Sequence, residues 1–366
     1  MTVSNPLPPG EESLAQDMEL EAEGALVAQD AQAPWFARLP LVSHLRRSVG
    51  LQRAMLVVGL ALTAALLLTA LLAPIIAPYS FSATSADGQD FGTQLPLGSP
   101  GHLLGTTVSG FDVLSRVIWG TRTAVAVMAC AVVASLFIGV LLGLVSGYVG
   151  GWLDRILVML ADAVYAFPSL LLAIVMSIVI SGGQSSAWGG ILAAAISITV
   201  VFVPQYFRVI RAEVVRLKAE PFVEAAKVVG TGHGRIMGTH LLRNATRTLP
   251  LIFTLNSSEA ILTLAALGFL GFGIEPTSAA EWGYDLNRAM SDATSGIWWT
   301  GLFPGLAIVL SVLGVTLVGE SINDLNDPRL RTRRPARRRS GSVTAATAAT
   351  SATAAASSPA AKEARA

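Results

Sequence analysis

Apolar and polar positions alternate along this chain on the scale of whole helices rather than of single turns. Long apolar runs at about Ala54–Ala77, Thr121–Tyr148, Ile156–Ile180, Trp188–Ile210, Leu249–Gly273 and Ile297–Gly319 are separated by polar stretches. At 1.5 Å per residue each run is long enough for a hydrocarbon core of about 30 Å, so six transmembrane helices are predicted. Pro74 and Pro78 close the first run, and the third contains Asp162 and Pro168. The expected fold is therefore all-α and polytopic.

The polar stretches differ from one another. Residues 1–45 are rich in Glu, Ala, Pro and Gln and offer little to bury, which predicts a disordered tail. Residues 46–80 hold the first span, 81–118 a loop with several Gly and Asp, 119–327 the remaining five spans, and 328–366 an arginine run followed by a low-complexity Ala/Ser/Thr stretch. Short turns are expected at Gly150–Arg155 and Ser181–Ala187, and an acidic loop at Ile274–Gly296.

One polar stretch carries helix signals of its own. Glu220–Arg247 reads EPFVEAAKVVGTGHGRIMGTHLLRNATR. Pro221 suits a first helical position, and Gly230 suits the left-handed residue just past a helix end. Phe222, Ala225, Ala226 and Val229 recur at roughly helical spacing between them. The reading is a short helix at Pro221–Val229, a turn at Gly230–Gly234 and a second helix from about Arg235. Such a helix either lies on lipid headgroups or docks on another protein.

Composition sharpens this picture. Of 366 residues 52% are apolar and only 13% charged, which sets the chain apart from average soluble domains. Lys and Arg cluster on one set of loops, from Arg46, Arg47 and Arg53 through Arg155 and Arg208–Arg247 to the arginine tail. The positive-inside rule then places both termini and the Pro221–Val229 helix in the cytoplasm. No cleavable signal peptide is expected, because the start of the chain is acidic and polar. The single cysteine, Cys130, falls in an apolar run and reads as a buried small side chain. Gly139, Gly143 and Gly147 recur every four residues, with Gly151 in register, as a smooth stripe for close helix packing. Asp162 and Glu259 are acids within spans, which marks them as candidates for a translocation path.

Several chemistries find no support. No G-x-x-x-x-G-K-[ST] phosphate loop occurs, no H-E-x-x-H occurs, and the four His show no metal-ligand spacing. No enzymatic activity, cofactor, metal or nucleic-acid partner is expected.

The motifs together resemble a known family. Glu224-Ala225-Ala226, three residues, then Gly230 is similar to the "EAA" loop of ABC-importer permeases, although His240-Leu241-Leu242-Arg243 stands where Ile-x-Leu-Pro is usual. Leu103–Val125 resembles the "LGTD..GRDVLSR.IYGAR" segment of dipeptide, oligopeptide and nickel permeases, keeping Asp112-Val113-Leu114-Ser115-Arg116. Asp162–Ala173 is similar to "D.L.AFPSLLLA", Glu281-Trp282-Gly283 to "SWG", and Leu302–Arg331 to the family's last span and exit. The resemblance implies a type I ABC-importer permease of the second, "C"-type kind in the bacterial cytoplasmic membrane. It implies a second permease as heterodimer partner, cytoplasmic ATPase subunits, an extracytoplasmic substrate-binding protein and membrane lipid around the spans. Pro221, Phe222, Glu224, Ala225, Ala226 and Gly230 would form the ATPase-coupling helix. Peptides or nickel would be the cargo. The alternative is an ion-coupled secondary transporter, with Asp162 and Glu259 as ion sites.

Overall fold

The structure is a computed structural model that describes residues 51–181 and 187–326. The expected tails, and most of the Ser181–Ala187 turn, lie outside these residues. Five helical runs among the described residues are long and apolar enough to cross a membrane, and a sharply bent helix pair is the sixth candidate. In chain order the helices are α1 (Leu51–Ile76), α2 (Val113–Val149), α3 (Gly151–Tyr165), α4 (Ser169–Ser181) and α5 (Ala187–Lys218). The short α6 (Pro221–Val228) follows, then α7 (His233–Arg235), α8 (Leu242–Ala245) and α9 (Leu249–Phe269). Outside the spans lies α10 (Trp282–Thr294), and α11 (Trp299–Asn326) is the last among the described residues. A two-stranded hairpin, β1 (Ser85–Ala86) with β2 (Gln89–Asp90), pairs antiparallel around Asp87-Gly88. Both of those turn residues have positive φ, as a tight two-residue hairpin turn requires.

The centre of the bundle is the parallel pair α2 and α5. A Cβ built on Gly139 would lie 2.5 Å from the Tyr206 Cβ and 2.9 Å from the Val203 carbonyl oxygen. On Gly143 it would lie 2.7 Å from the Phe207 carbonyl oxygen, and on Gly147 2.9 Å from the Val214 Cβ. The three glycines thus bring the backbone of α2 against that of α5 in the same chain, while at Gly151 the space is open. A second close crossing was not signalled by the pattern: Gly59 of α1 meets Leu317, and Gly314 of α11 meets Leu62. There the helices run antiparallel. Gly143→Leu should lower the yield of folded protein several-fold in detergent-solubilised membranes, since overpacking a tight contact typically costs about 1–3 kcal/mol. Unchanged yield and melting temperature would show that α2 and α5 separate freely there.

Five expectations need correction. The third apolar run is not one straight span: α3 and α4 meet at 96° across Ala166-Phe167-Pro168. Pro168 has no N–H to donate and disfavours helical backbone at the residue before it, so the helix stops and restarts. Helix α2 begins at Val113, inside the expected loop, because the Asp112 side chain accepts the Ser115 N–H at 2.7 Å and caps it. The turn expected at Gly150–Arg155 narrows to Gly150 and Gly151, both at positive φ. The acidic loop at 274–296 contains a full helix, α10, with Trp282, Gly283, Asp285, Ala289 and Asp292 buried. Cys130 is exposed on the surface of the chain, not buried, so it faces lipid or another subunit.

The polar segment between α5 and α9 is helical almost throughout. Residues 236–241 form a π-helical stretch, followed by α8 and a single 3-10 turn at Thr246–Thr248. Ile236 and Leu241 are both fully buried. Five residues at 100° each would put them on different faces of an α-helix, and the wider turn lets both face the core.

Candidate functional site

The short helix α6 sits at the end of the bundle where α2 and α5 finish. Glu220 precedes it in extended conformation and Pro221 opens it. Its end is closed by two bonds: the Thr231 N–H donates to the Ala226 carbonyl and the Gly230 N–H to the Lys227 carbonyl. These are the paired bonds of a Schellman motif, which needs a left-handed residue, and Gly230 has φ +82°. Val223 is the anchor, fully buried against the bundle, and Ala226 packs half-buried beside it. Pro221, Phe222, Glu224, Ala225 and Gly230 are exposed, as are Val228 (87%) and Val229 (83%). Helical spacing alone put Phe222 and Val229 with Ala226 on one apolar side. The structure splits them: Val223 and Ala226 face inward, and the larger apolar side chains face away.

A strut ties this loop to the bundle. The Tyr148 hydroxyl lies 2.6 Å from Nδ1 of His233, and Lys218 Nζ donates to the Tyr148 carbonyl at 2.6 Å. Nearby, Arg211 grips Asp154 through two bonds of 2.5 and 2.7 Å, and the Ser146 hydroxyl donates to the same carboxylate. The ends of α2 and α5, the start of α3 and the start of the α7 segment are thereby pinned together.

The two intramembrane acids lie on a common face, though not in contact. Asp162 of α3 pairs with Arg208 of α5 at 2.6 Å. The Arg208 guanidinium stacks over the Tyr165 ring, 4.1 Å from its centroid. Tyr165 in turn lines a cavity of about 100 Å³ together with Val164, Phe167, Gln205 and Glu259. The cavity opens at the break between α3 and α4. Gln205 was not singled out from the sequence, and Arg208, three residues on along α5, was read only as one of the basic residues that set the orientation; their signal was polar interruption of the fourth apolar run.

At the opposite end of the bundle two of the family-like motifs meet. Arg116 of the Asp112–Arg116 stretch is 1% exposed. Its Nε donates to Asp285 Oδ2 at 3.0 Å, and its Nη2 lies 2.7 Å from Oδ1. Its Nη1 donates to the carbonyls of Phe81 and Pro276. Asp112, besides capping α2, lies 2.9 Å from Nδ1 of His102. Glu281 caps α10, accepting the N–H groups of Gly283 and Tyr284 at 2.8 and 2.7 Å. Trp282 donates its indole N–H to the Val117 carbonyl. A Cβ on Gly283 would fall 1.9 Å from the Ala265 carbonyl oxygen, so only glycine fits. The spacing of these residues therefore serves one buried lock between the start of α2, α9 and α10.

The lock is titratable. Burial pushes the Glu281 carboxyl up to about 8, against the opposing pull of the two N–H donors, and burial also raises Asp285 while Arg116 lowers it. A carboxyl raised on folding stabilises the fold fully below its ordinary value near 4.5, and that stability drains away as pH climbs through about 8. The melting temperature of the purified protein should therefore fall between pH 5 and pH 8. Glu281→Gln should flatten that slope; an unchanged slope would show that Glu281 is not its source.

Comparison with known proteins defines the class. The family described as "Binding-protein-dependent transport system inner membrane component" matches residues 139–332, more than half of the chain, and the chain belongs to it. It is thus a multi-pass permease subunit of the ABC-importer class, a transport family of the inner membrane and not an enzyme family. The chain is 35% identical over 279 residues to the dipeptide transport system permease protein DppC of Alkalihalophilus pseudofirmus, covering 75% of this chain and 86% of that one. It is 36% identical over 277 residues to the di/tripeptide transport system permease protein DppC of Pseudomonas aeruginosa, covering 75% and 88%. It is also 33% identical over 234 residues to the glutathione transport system permease protein GsiD of Pectobacterium atrosepticum, covering 64% and 75%.

Proposed function

We propose that this chain is one of two permeases of a peptide importer, driven by ATP hydrolysis on separate subunits. Peptide and glutathione transport in the names of its relatives favours peptides over nickel as cargo. The observation that carries the coupling part is the form of α6. It is anchored by Val223, held by a Schellman turn and strutted by His233, yet it leaves Phe222, Val228, Val229 and Glu224 open. A single helix lying on lipid would need no such rigid mount. A rigid mount suits a part that transmits force from an ATPase. The second permease would cover the face carrying Asp162, Arg208 and Glu259, and the peptide would pass between the two. An extracytoplasmic binding protein would deliver it. Both termini and α6 would face the cytoplasm, as the Lys/Arg bias favours.

The test joins transport to topology. Vesicles holding the complete complex should accumulate a labelled dipeptide only with ATP inside the ATPase compartment and binding protein on the other side. Accumulation driven by an ion gradient without ATP would overturn the reading in favour of a secondary transporter. In a Cys130→Ser background, needed because Cys130 is exposed, Asp90→Cys and Ser278→Cys should react with an impermeant thiol reagent in intact cells. Thr231→Cys should react only after the membrane is opened.

A further inference from the structure

Glu259 is the eleventh residue of α9 (Leu249–Phe269), at the middle of the span. Among the described residues it makes no hydrogen bond and no ion pair, yet it lines the cavity of about 100 Å³ at the break between α3 and α4. Ionisable groups inside a membrane are normally paired with one another or face an aqueous path. The nearby cation does not serve: Arg208 is already held by Asp162 at 2.6 Å and stacked on Tyr165. That face therefore holds two carboxylates and one guanidinium, and is one cation short.

We propose that this cavity is a station for the ammonium group of a peptide on its way through the permease, with Glu259 as its counter-ion. The inference rests on the peptide reading above and deepens it. The other groups suit a small organic cation. The Gln205 side chain offers an amide oxygen, and the Phe167 and Tyr165 rings line the wall. Helix α3 ends at this point, with its C-terminal carbonyl pole beside the cavity, which favours positive charge. The volume holds several water-sized groups, enough for an ammonium and the atoms next to it. A bare calcium or magnesium ion is a poor match, since each takes six or more oxygen ligands and the lining offers one carboxylate.

The test reads occupancy directly, without the binding protein. In the Cys130→Ser background, Ser169→Cys places a thiol in the wall. Thiol labelling is followed in the purified permease–ATPase complex with millimolar Ala-Ala or N-acetyl-Ala-Ala. Ala-Ala should slow labelling at least threefold, and N-acetyl-Ala-Ala should not. Adding Glu259→Gln should abolish the protection, and Glu259→Asp should keep most of it. Equal protection by both peptides, protection by neither, or protection that survives Glu259→Gln overturns the proposal and leaves Glu259 to pair with the partner permease. Failure of the peptide reading itself shows separately, as an absence of dipeptide uptake by the unmodified complex in vesicles.

Discussion

Arg116→Met should remove most of the folded protein from the membrane. Arg116 is buried and binds Asp285 through two contacts of 3.0 and 2.7 Å, and it also satisfies the carbonyls of Phe81 and Pro276. Removing one partner of a buried ion pair typically costs about 3–5 kcal/mol, because the other charge is left without compensation. Arg116→Lys should rescue little, because an ammonium cannot make the paired contacts of a guanidinium. The double variant Arg116→Met with Asp285→Leu should be less damaged than Arg116→Met alone, since no lone charge remains. The measurement is monodisperse yield on gel filtration together with melting temperature. A single variant as stable as the parent would mean that the lock contributes nothing.

The other large effect is on coupling rather than folding. Glu224→Lys reverses a charge on the open side of α6, where the proposed ATPase contact lies. Against a basic partner surface this places like charges together, which can cost several kcal/mol, so ATPase co-purification and peptide-stimulated hydrolysis should fall by tenfold or more. Gly230→Val acts by another route. There is open space around the missing Cβ, but at φ +82° a β-branched residue is strained, and the Schellman turn should loosen. Both variants should insert normally, because neither residue lies in a span and the Val223 anchor is untouched. Full coupling in both would show that α6 is not the contact. Val223→Ala offers a control from the inner side: it should weaken the mount while leaving the outer surface intact.

The two predictions concern opposite ends of one bundle, and the contact of α2 with α5 along three glycines of α2 runs between them. The two backbones touch at Gly139, Gly143 and Gly147. That contact includes Tyr206 and Phe207, one and two residues beyond Gln205 in the cavity wall.

What could be read from the chain before folding is what depends on neighbours in sequence. Span length and apolar content follow from consecutive residues, so the helical class and most span positions were legible. Pro221 and Gly230 mark the start and stop of α6 through their own backbone preferences, which no tertiary contact has to supply. The glycine repeat was legible as a smooth stripe for the same local reason. Its partner was not, because nothing near residue 143 names Phe207. Pro168 was visible, yet its effect depended on packing: a proline within a span can be tolerated, as Pro204 is inside α5, and here α3 instead turns away to pair Asp154 and Asp162 with α5. Arg116 and Asp285 lie 169 residues apart, and only the fold makes them one charge pair. The same holds for α10, whose polar sequence reads as a solvated loop until the buried face formed with α2 and α9 is known. Glu259 stood out as an acid among apolar residues, but its lack of a partner is a fact about surroundings in space. Local preference sets where helices begin and end; which side chains are left paired or alone is decided only when distant segments close around them.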